Sequence, residues 1–359
     1  QTVPDGMAPG SDTANLSVIG YDPKEYYTGR SPLEALSIGV DMAPTDVSFR
    51  CNLVTLSEEE ERYEDKRILD HSSSEISTED AAVLMETLMQ EMRRGGYEFY
   101  TGTSYRHLLI HKFGSVVELT APHDILTKRI GEYLPQDAVL REMMETSYRI
   151  LSNHPLNLER KAKGLNPANS VWFWGAGTRP MLTSFEEKYH KKGAMISAVD
   201  LLKGIAVGAG LDNIIVEGAN GGLHTNYTGK AEAAVDALAA QDYDFVYVHI
   251  EAPDEMGHQG SIPDKIKAIE NIDQKIIGPI VGELEDLCMD FRTLVLPDHP
   301  TPICVRTHTG NPVPYLLYDS RKKAEGMPEY SERLGNKSPL FEKEGHRLLS
   351  RLFEMDNER

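Results

Sequence analysis

Three segments of this chain place carboxylates and imidazoles directly after apolar runs. In HIEAPDEMGHQG (249–260) an apolar stretch gives way to Asp254 and His258. TLVLP (293–297) runs into Asp298 and His299, followed by PTP, and CVRTHTGNPVP (304–314) supplies His308. Open α/β sheets place their sites at strand ends. Mixed nitrogen and oxygen donors from three such ends form the inventory of a two-ion divalent-metal centre, and imidazole suits Mn²⁺ or Zn²⁺ better than Mg²⁺. Asp254 and His258 on their own equally fit a surface pair or a helix cap; their company carries the metal reading. A fourth segment, PDGMAPGSDTANLSVIGYDP (4–23), sets Ser11 before an apolar, helical-looking stretch. The ordinary reading of Ser11 is an N-cap. The sharper one is a metal-activated nucleophile at a helix start, where free N–H groups and the helix dipole favour a transferred phosphoryl.

The elements that must position these residues alternate. AMISA (194–198), NIIVE (213–217), DFVYVHIE (244–251), RTLVLP (292–297) and VPYLLYD (313–319) read as strands. TGKAEAAVDALAAQ reads as a helix opening near Thr228, and Ile266, Ile269, Ile272, Ile276 and Ile280 follow at helical spacing, with a kink expected at Pro279. This alternation predicts an α/β sheet. Residues from about 50 to 168 differ in texture: the charge run SEEEERYEDKR, a helix TEDAAVLMETLMQEMRR closed by Gly95 and Gly96, then strand-like YEFYT, YRHLLIHKF and SVVEL. They read as a smaller α+β domain inserted into the first, with the charge run a solvated face.

With 359 residues, 40% of them hydrophobic, the chain is long enough for two domains. A formal charge of -19 argues against a nucleic-acid partner. It leaves room for a small phosphate ester bound by a few cleft arginines and cations. No apolar run approaches the roughly 18 residues of a membrane span, the N-terminus has no signal-like pattern, and a soluble cytoplasmic protein is expected. Cys51, Cys288 and Cys304 are widely spaced, as expected of reduced thiols.

The ordered motifs GSDTANLS, EAPDEMGH, PDHPTP and RTHTGNPVP resemble the cofactor-independent (2,3-bisphosphoglycerate-independent) phosphoglycerate mutases of the alkaline-phosphatase superfamily. RCNLVT (50–55), YRHLLI (105–110) and PHD (122–124) bring the archaeal-type branch closer, and the likeness covers nearly the whole chain. The resemblance implies an alkaline-phosphatase-like, mixed or mostly parallel sheet sandwiched by helices, formed by residues 1–49 and 169–359, with 50–168 as an inserted α+β substrate-binding cap. It implies interconversion of 3-phosphoglycerate and 2-phosphoglycerate through a phosphoserine on Ser11. Ser11, Asp298 and His299 would hold one metal ion, and Asp254, His258 and His308 the other. Mn²⁺ is the expected ion, ahead of Mg²⁺, Zn²⁺ or Co²⁺, and no 2,3-bisphosphoglycerate is needed. The domains of such enzymes close over the substrate, with Arg50 and Arg106 as matches for the residues that grip its anionic groups. An acid/base group is expected from the insert, where His71 and Asp70 are candidates. The expected partner is a small phosphorylated substrate, with no nucleic acid and no membrane, and the oligomeric state stays open.

Two positions depart from that pattern. The family carries an upstream strand ending in Asp-Gly whose aspartate joins the serine-side ion. Asp5-Gly6 belongs to the nucleophile loop instead, so a segment upstream of Gln1 is expected or a ligand has been lost, and the ion would then bind more weakly. In NPANSVWFWGAG (166–177), Trp174 stands where an arginine is expected. That substitution suggests a homoserine kinase-like phosphotransferase as the rival reading, unless Trp172 and Trp174 simply pack a hinge. The same residues would also serve a metal-dependent phosphatase, or a domain that binds a phospho-ligand without turnover.

Overall fold

The computed structural model describes residues 1–322, 326 and 329–354. The protein has a mixed α/β structure divided into two compact units, Gln1–Tyr27 with Met181–Arg359, and Thr28–Pro180. Among the described residues no helix is long and apolar enough to cross a membrane.

The Thr28–Pro180 unit is built on strands β1 (Val47–Leu56), β2 (Ile68–Asp70), β3 (Tyr97–Tyr100), β4 (Arg106–His111) and β5 (Ser170–Thr178). The order is β2-β1-β4-β3, with β5 also on β1, and every pairing is antiparallel. All ten residues of β1 are buried, the polar Ser48, Arg50, Asn52 and Thr55 among them, as its three strand partners require. This unit is wider at both ends than 50–168. The strand closing it, β5, follows residue 168, and Ser31 in the Arg30–Ser37 helix donates to the Ser48 carbonyl of β1 at 2.8 Å. The Thr78–Glu91 and Ala138–Leu151 helices supply Leu84, Leu88, Leu140 and Met144 to the core around Phe49, Leu53 and Trp172. SVVEL, expected as a strand, has no regular structure. The β1–β5 register shifts between Ser48 and Arg50, and Gly175 there takes φ +61°, a conformation that favours glycine.

The Gln1–Tyr27, Met181–Arg359 unit holds a parallel sheet, β7-β6-β8, of β6 (Gly193–Ile196), β7 (Asp212–Asn213) and β8 (Phe245–Val248). A separate antiparallel pair joins β9 (Arg292–Val295) to β10 (Leu316–Asp319). Of the strand expected over 213–217 only Asn213 lies in β7; Ile214 still donates its N–H to the Met195 carbonyl of β6 at 2.9 Å, and regular pairing goes no further. The Tyr227–Ala240 helix packs Tyr227 and Ala231 against Ala252, Ala268 and Ile276. The isoleucine-spaced stretch forms helices Ile262–Ile272 and Gly278–Asp286 joined by a π-helical turn, Asp273–Ile277. Pro279 lies in the first turn of the later helix, where its missing N–H is tolerated, and the irregularity falls just before it.

Candidate active site

Ser11 opens the Ser11–Val18 helix, and the N-cap is Gly10, without a side-chain cap bond. The ordinary N-cap reading of Ser11 is therefore corrected by one position. The Ser11 hydroxyl is left for His299, whose Nε2 lies 3.1 Å away. His299 is buried, which pushes its basicity down although Asp298 opposes this. Asp298 accepts the His299 backbone N–H at 2.9 Å through Oδ1, and its Oδ2 lies 3.4 Å from His299 Nε2. All three residues belong to the Gln1–Tyr27, Met181–Arg359 unit.

Asp254 and His258 lie on the Ala252–Gln259 helix that follows β8, four residues apart and so on one face. His308 arrives from the loop before β10. His258 Nε2 is 3.0 Å from His308 Nε2 and 3.3 Å from Asp254 Oδ2, and His308 Nε2 is 3.3 Å from Asp254 Oδ1. Each residue offers a ligand atom within 4.8 Å of the others. His258 Nδ1 lies 3.0 Å from the Arg306 carbonyl, so the Nδ1 proton has an acceptor and the Nε2 lone pair faces the cluster. This donor set fits a divalent ion of the Mn²⁺ or Zn²⁺ class. Burial raises Asp254, but hydrogen bonds with His308 and Thr301 hold it well below the usual carboxylate range. The Thr301 hydroxyl donates to Asp254 Oδ1 and lies 3.4 Å from His299 Nδ1, and the His299 and His308 rings are 3.9 Å apart, so the two groups of residues adjoin.

Two ionisable groups beside them escape sequence reading. Burial pushes Glu251 up to about 7, helped by Glu255, Asp254 and Asp298. Lys230 is 1% exposed, donates to the His249 carbonyl at 2.9 Å, and is pushed down to about 8 by burial against the attraction of Glu251. Only a basic residue in an alanine-rich helical stretch, TGKAEAAVDALAA, hinted at Lys230.

In the Thr28–Pro180 unit, Arg50 is 5% exposed, with Nε 2.8 Å from Glu34 Oε2 and its guanidinium 4.3 Å from the Trp174 ring centroid. Burial lowers its pKa to about 10, so it remains charged. Trp174 Nε1 donates to Asn52 Oδ1 at 3.1 Å, and Trp172 is buried in the core with its Nε1 on the Thr120 carbonyl at 2.8 Å. Arg106 is exposed and lies over Tyr105, 4.9 Å from the ring centroid. His71 meets the rings of Tyr105 (5.9 Å) and His123 (6.1 Å), and His123 meets Trp174 at 5.3 Å. Arg50, Arg106 and His71 therefore share one aromatic, cationic face, joined by Glu34, His123 and Trp174.

Asp70 does something different. Its carboxylate accepts from Ser72 N–H (2.8 Å) and hydroxyl (2.9 Å), Ser74 N–H (2.6 Å) and Asn166 Nδ2 (2.8 Å). Burial raises it, but these donors bring it down to about 2. A carboxylate so occupied is a poor proton carrier. It organises the loop in which Ser73, Ser74 and Glu75 all take positive φ, 51°, 57° and 48°.

The features define an α/β protein with a hydroxyl on an imidazole beside a converging Asp–His–His group. Residues 1–157 match the family model described as 2,3-bisphosphoglycerate-independent phosphoglycerate mutase. A protein of that name from Methanosarcina barkeri is 50% identical over 94% of this chain and 84% of its own length. A probable 2,3-bisphosphoglycerate-independent phosphoglycerate mutase from Geobacter sulfurreducens is 45% identical over 99% and 88%. Among solved structures, the cofactor-independent phosphoglycerate mutase from Thermoplasma acidophilum matches with TM-score 0.60 and 27% identity over 97% of this chain and 87% of its own. The PH0037 protein from Pyrococcus horikoshii matches with TM-score 0.76 and 30% identity over 98% and 84%. The chain belongs to the 2,3-bisphosphoglycerate-independent phosphoglycerate mutase family.

Proposed function

We propose that this chain interconverts 3-phosphoglycerate and 2-phosphoglycerate through a phosphoserine on Ser11, without 2,3-bisphosphoglycerate. The observation that carries this reading, beyond family membership, is the Ser11 hydroxyl 3.1 Å from His299 Nε2 beside the Asp254, His258 and His308 group. Ser11 Oγ bonds to phosphorus as the bond from phosphorus to the glycerate oxygen breaks. The Ser11 hydroxyl gives up its proton to solvent, and the released glycerate oxygen is protonated by an acid for which His71 is the candidate. Return of the phosphoryl to the other glycerate hydroxyl reverses both proton transfers, so nothing is gained or lost overall. Ser11, Asp298 and His299 would hold one divalent ion and Asp254, His258 and His308 a second, and bound ions there supply electrostatic stabilisation of serine alkoxide and phosphoryl charge. Mn²⁺ suits the donors.

Within this reading the Gln1–Tyr27, Met181–Arg359 unit is an alkaline-phosphatase-like catalytic domain, and Thr28–Pro180 is a substrate-binding cap. Arg50, held between Glu34 and Trp174, and the exposed Arg106 bind the substrate's anionic groups, and Asp70 positions His71. A cytoplasmic enzyme acting on a small phosphorylated substrate is the corresponding setting. The test is an enolase-coupled assay with Mn²⁺. Turnover by the protein and its loss in Ser11→Ala support the reading. Absence of turnover in folded, metal-loaded protein refutes it, and phosphorylation of homoserine or release of free phosphate would then name the replacement.

A further inference from the structure

Asn15 ties together three parts of the Gln1–Tyr27, Met181–Arg359 unit that are distant in sequence. It is fully buried on the Ser11–Val18 helix, one turn beyond Ser11. Its Nδ2 donates to the Ser11 carbonyl and to Asp298 Oδ2, both at 2.8 Å, and its Oδ1 accepts from the Tyr247 hydroxyl at 2.6 Å. The amide nitrogen has two protons and both are used. Its orientation is fixed by its neighbours: turned over, the amide oxygen would face a carbonyl and a carboxylate, two acceptors. The other Asp298 oxygen is held at 2.9 Å by the His299 N–H, so the carboxylate is clamped from both ends.

We propose that Asn15 is a positioning residue, which fixes the rotation of the Asp298 carboxylate relative to the Ser11 turn while Tyr247 holds the amide in register. The inference rests on the reading of Ser11 as nucleophile and of Asp298 as its ion-binding neighbour. Outer hydrogen bonds of this kind orient a ligating group, and their loss typically costs tenfold or more without any contact to substrate.

The test compares Asn15→Ala, Asn15→Asp and Tyr247→Phe with wild type and Ser11→Ala, in the coupled mutase assay and in calorimetric titration of metal-stripped protein with Mn²⁺ alone. Asn15→Ala is expected to lower kcat by about 10–100-fold and to weaken Mn²⁺ binding by a similar factor, with KM within about threefold of wild type. Asn15→Asp, which sets a second carboxylate against Asp298 Oδ2, is expected to lower kcat further. Tyr247→Phe keeps the packing and removes only the hydroxyl, so it decides the matter where Asn15→Ala does not fold; a fall in kcat of about two- to tenfold at unchanged melting temperature is expected, at the weak end of the outer-contact range. Unchanged kcat and unchanged Mn²⁺ affinity in the folded variants overturn the inference alone. Full activity in Ser11→Ala overturns the reading beneath it.

Discussion

Trp174 is a sensitive probe of the arginine face because it acts on Arg50 without replacing it. The Arg50 guanidinium lies 4.3 Å from the indole centroid in a pocket where Arg50 is 5% exposed. A desolvated cation–π contact is worth about 2 kcal/mol. The bond from Trp174 Nε1 to Asn52 adds about 1 kcal/mol net. Trp174→Ala therefore removes about 3 kcal/mol of local restraint, by the sum of these two typical values. Glu34 still holds Arg50, so only part of this loss reaches the substrate. If half does, KM for 3-phosphoglycerate rises about tenfold, since about 1.4 kcal/mol corresponds to a factor of ten. Trp174→Phe, which keeps a ring face, is expected to fall between the two. Trp174→Arg is a sharper perturbation. A second cation about 4 Å from Arg50 is repelled by roughly 4 kcal/mol at an effective dielectric of about 20, and Glu34 already pairs with Arg30 at 3.0 Å as well as with Arg50. Trp174→Arg should therefore be less stable than Trp174→Ala, with Arg50 displaced. The coupled assay over a range of 3-phosphoglycerate, with thermal melts, reads both effects. A folded Trp174→Ala protein whose KM stays within twofold of wild type would refute the idea that the stack prepares Arg50 for substrate.

Acid lability should depend in part on His107. It is 2% exposed, its Nδ1 accepts the Gly102 N–H at 3.1 Å, and its Nε2 has no hydrogen-bond partner among the described residues. Burial, with Arg106 adding to it, lowers its pKa to about 3. The unfolded chain binds this proton below about 6.5 and the folded chain does not, so stability is fully present above that pH and falls by up to about 1.4 kcal/mol per pH unit as pH drops toward 3. Urea unfolding at pH 7, 6 and 5 should show the slope, and His107→Gln should flatten it; an unchanged slope in the variant would assign the lability elsewhere. At the Asp254, His258 and His308 group, Asp254→Asn and His308→Ala are each expected to reduce bound Mn²⁺ and mutase turnover together. Unchanged metal content and turnover in both variants would end the metal assignment.

The parts of this protein legible in its sequence are those set by short-range pattern. Asp254 and His258 share a helix face because they are four residues apart, and the alternation of apolar runs with helical spacing anticipated α/β structure around β6, β8 and β9. Arg50 and Arg106 carried a recognisable local context. Local pattern had less to say where partner choice decides structure. NIIVE and SVVEL have strand composition, yet NIIVE leaves β6 after a last bond from the Ile214 N–H to the Met195 carbonyl, and 115–119 form no strand, because a strand extends only where a neighbour accepts its backbone bonds. Asp70 and His71 looked equivalent as proton carriers until the loop folded around the carboxylate and filled its lone pairs. Ser11 needed the same help: its type suited an N-cap, and only the arrival of His299, 288 residues away, gave its hydroxyl another partner. Glu34 and Glu251 had no such local signature, and Trp174 was legible as a departure from a pattern but not as a stack on Arg50. Their burial and their neighbours are set by sheet register and by which loops meet, and a residue's charge, reach and hydrogen-bond partners follow from that meeting.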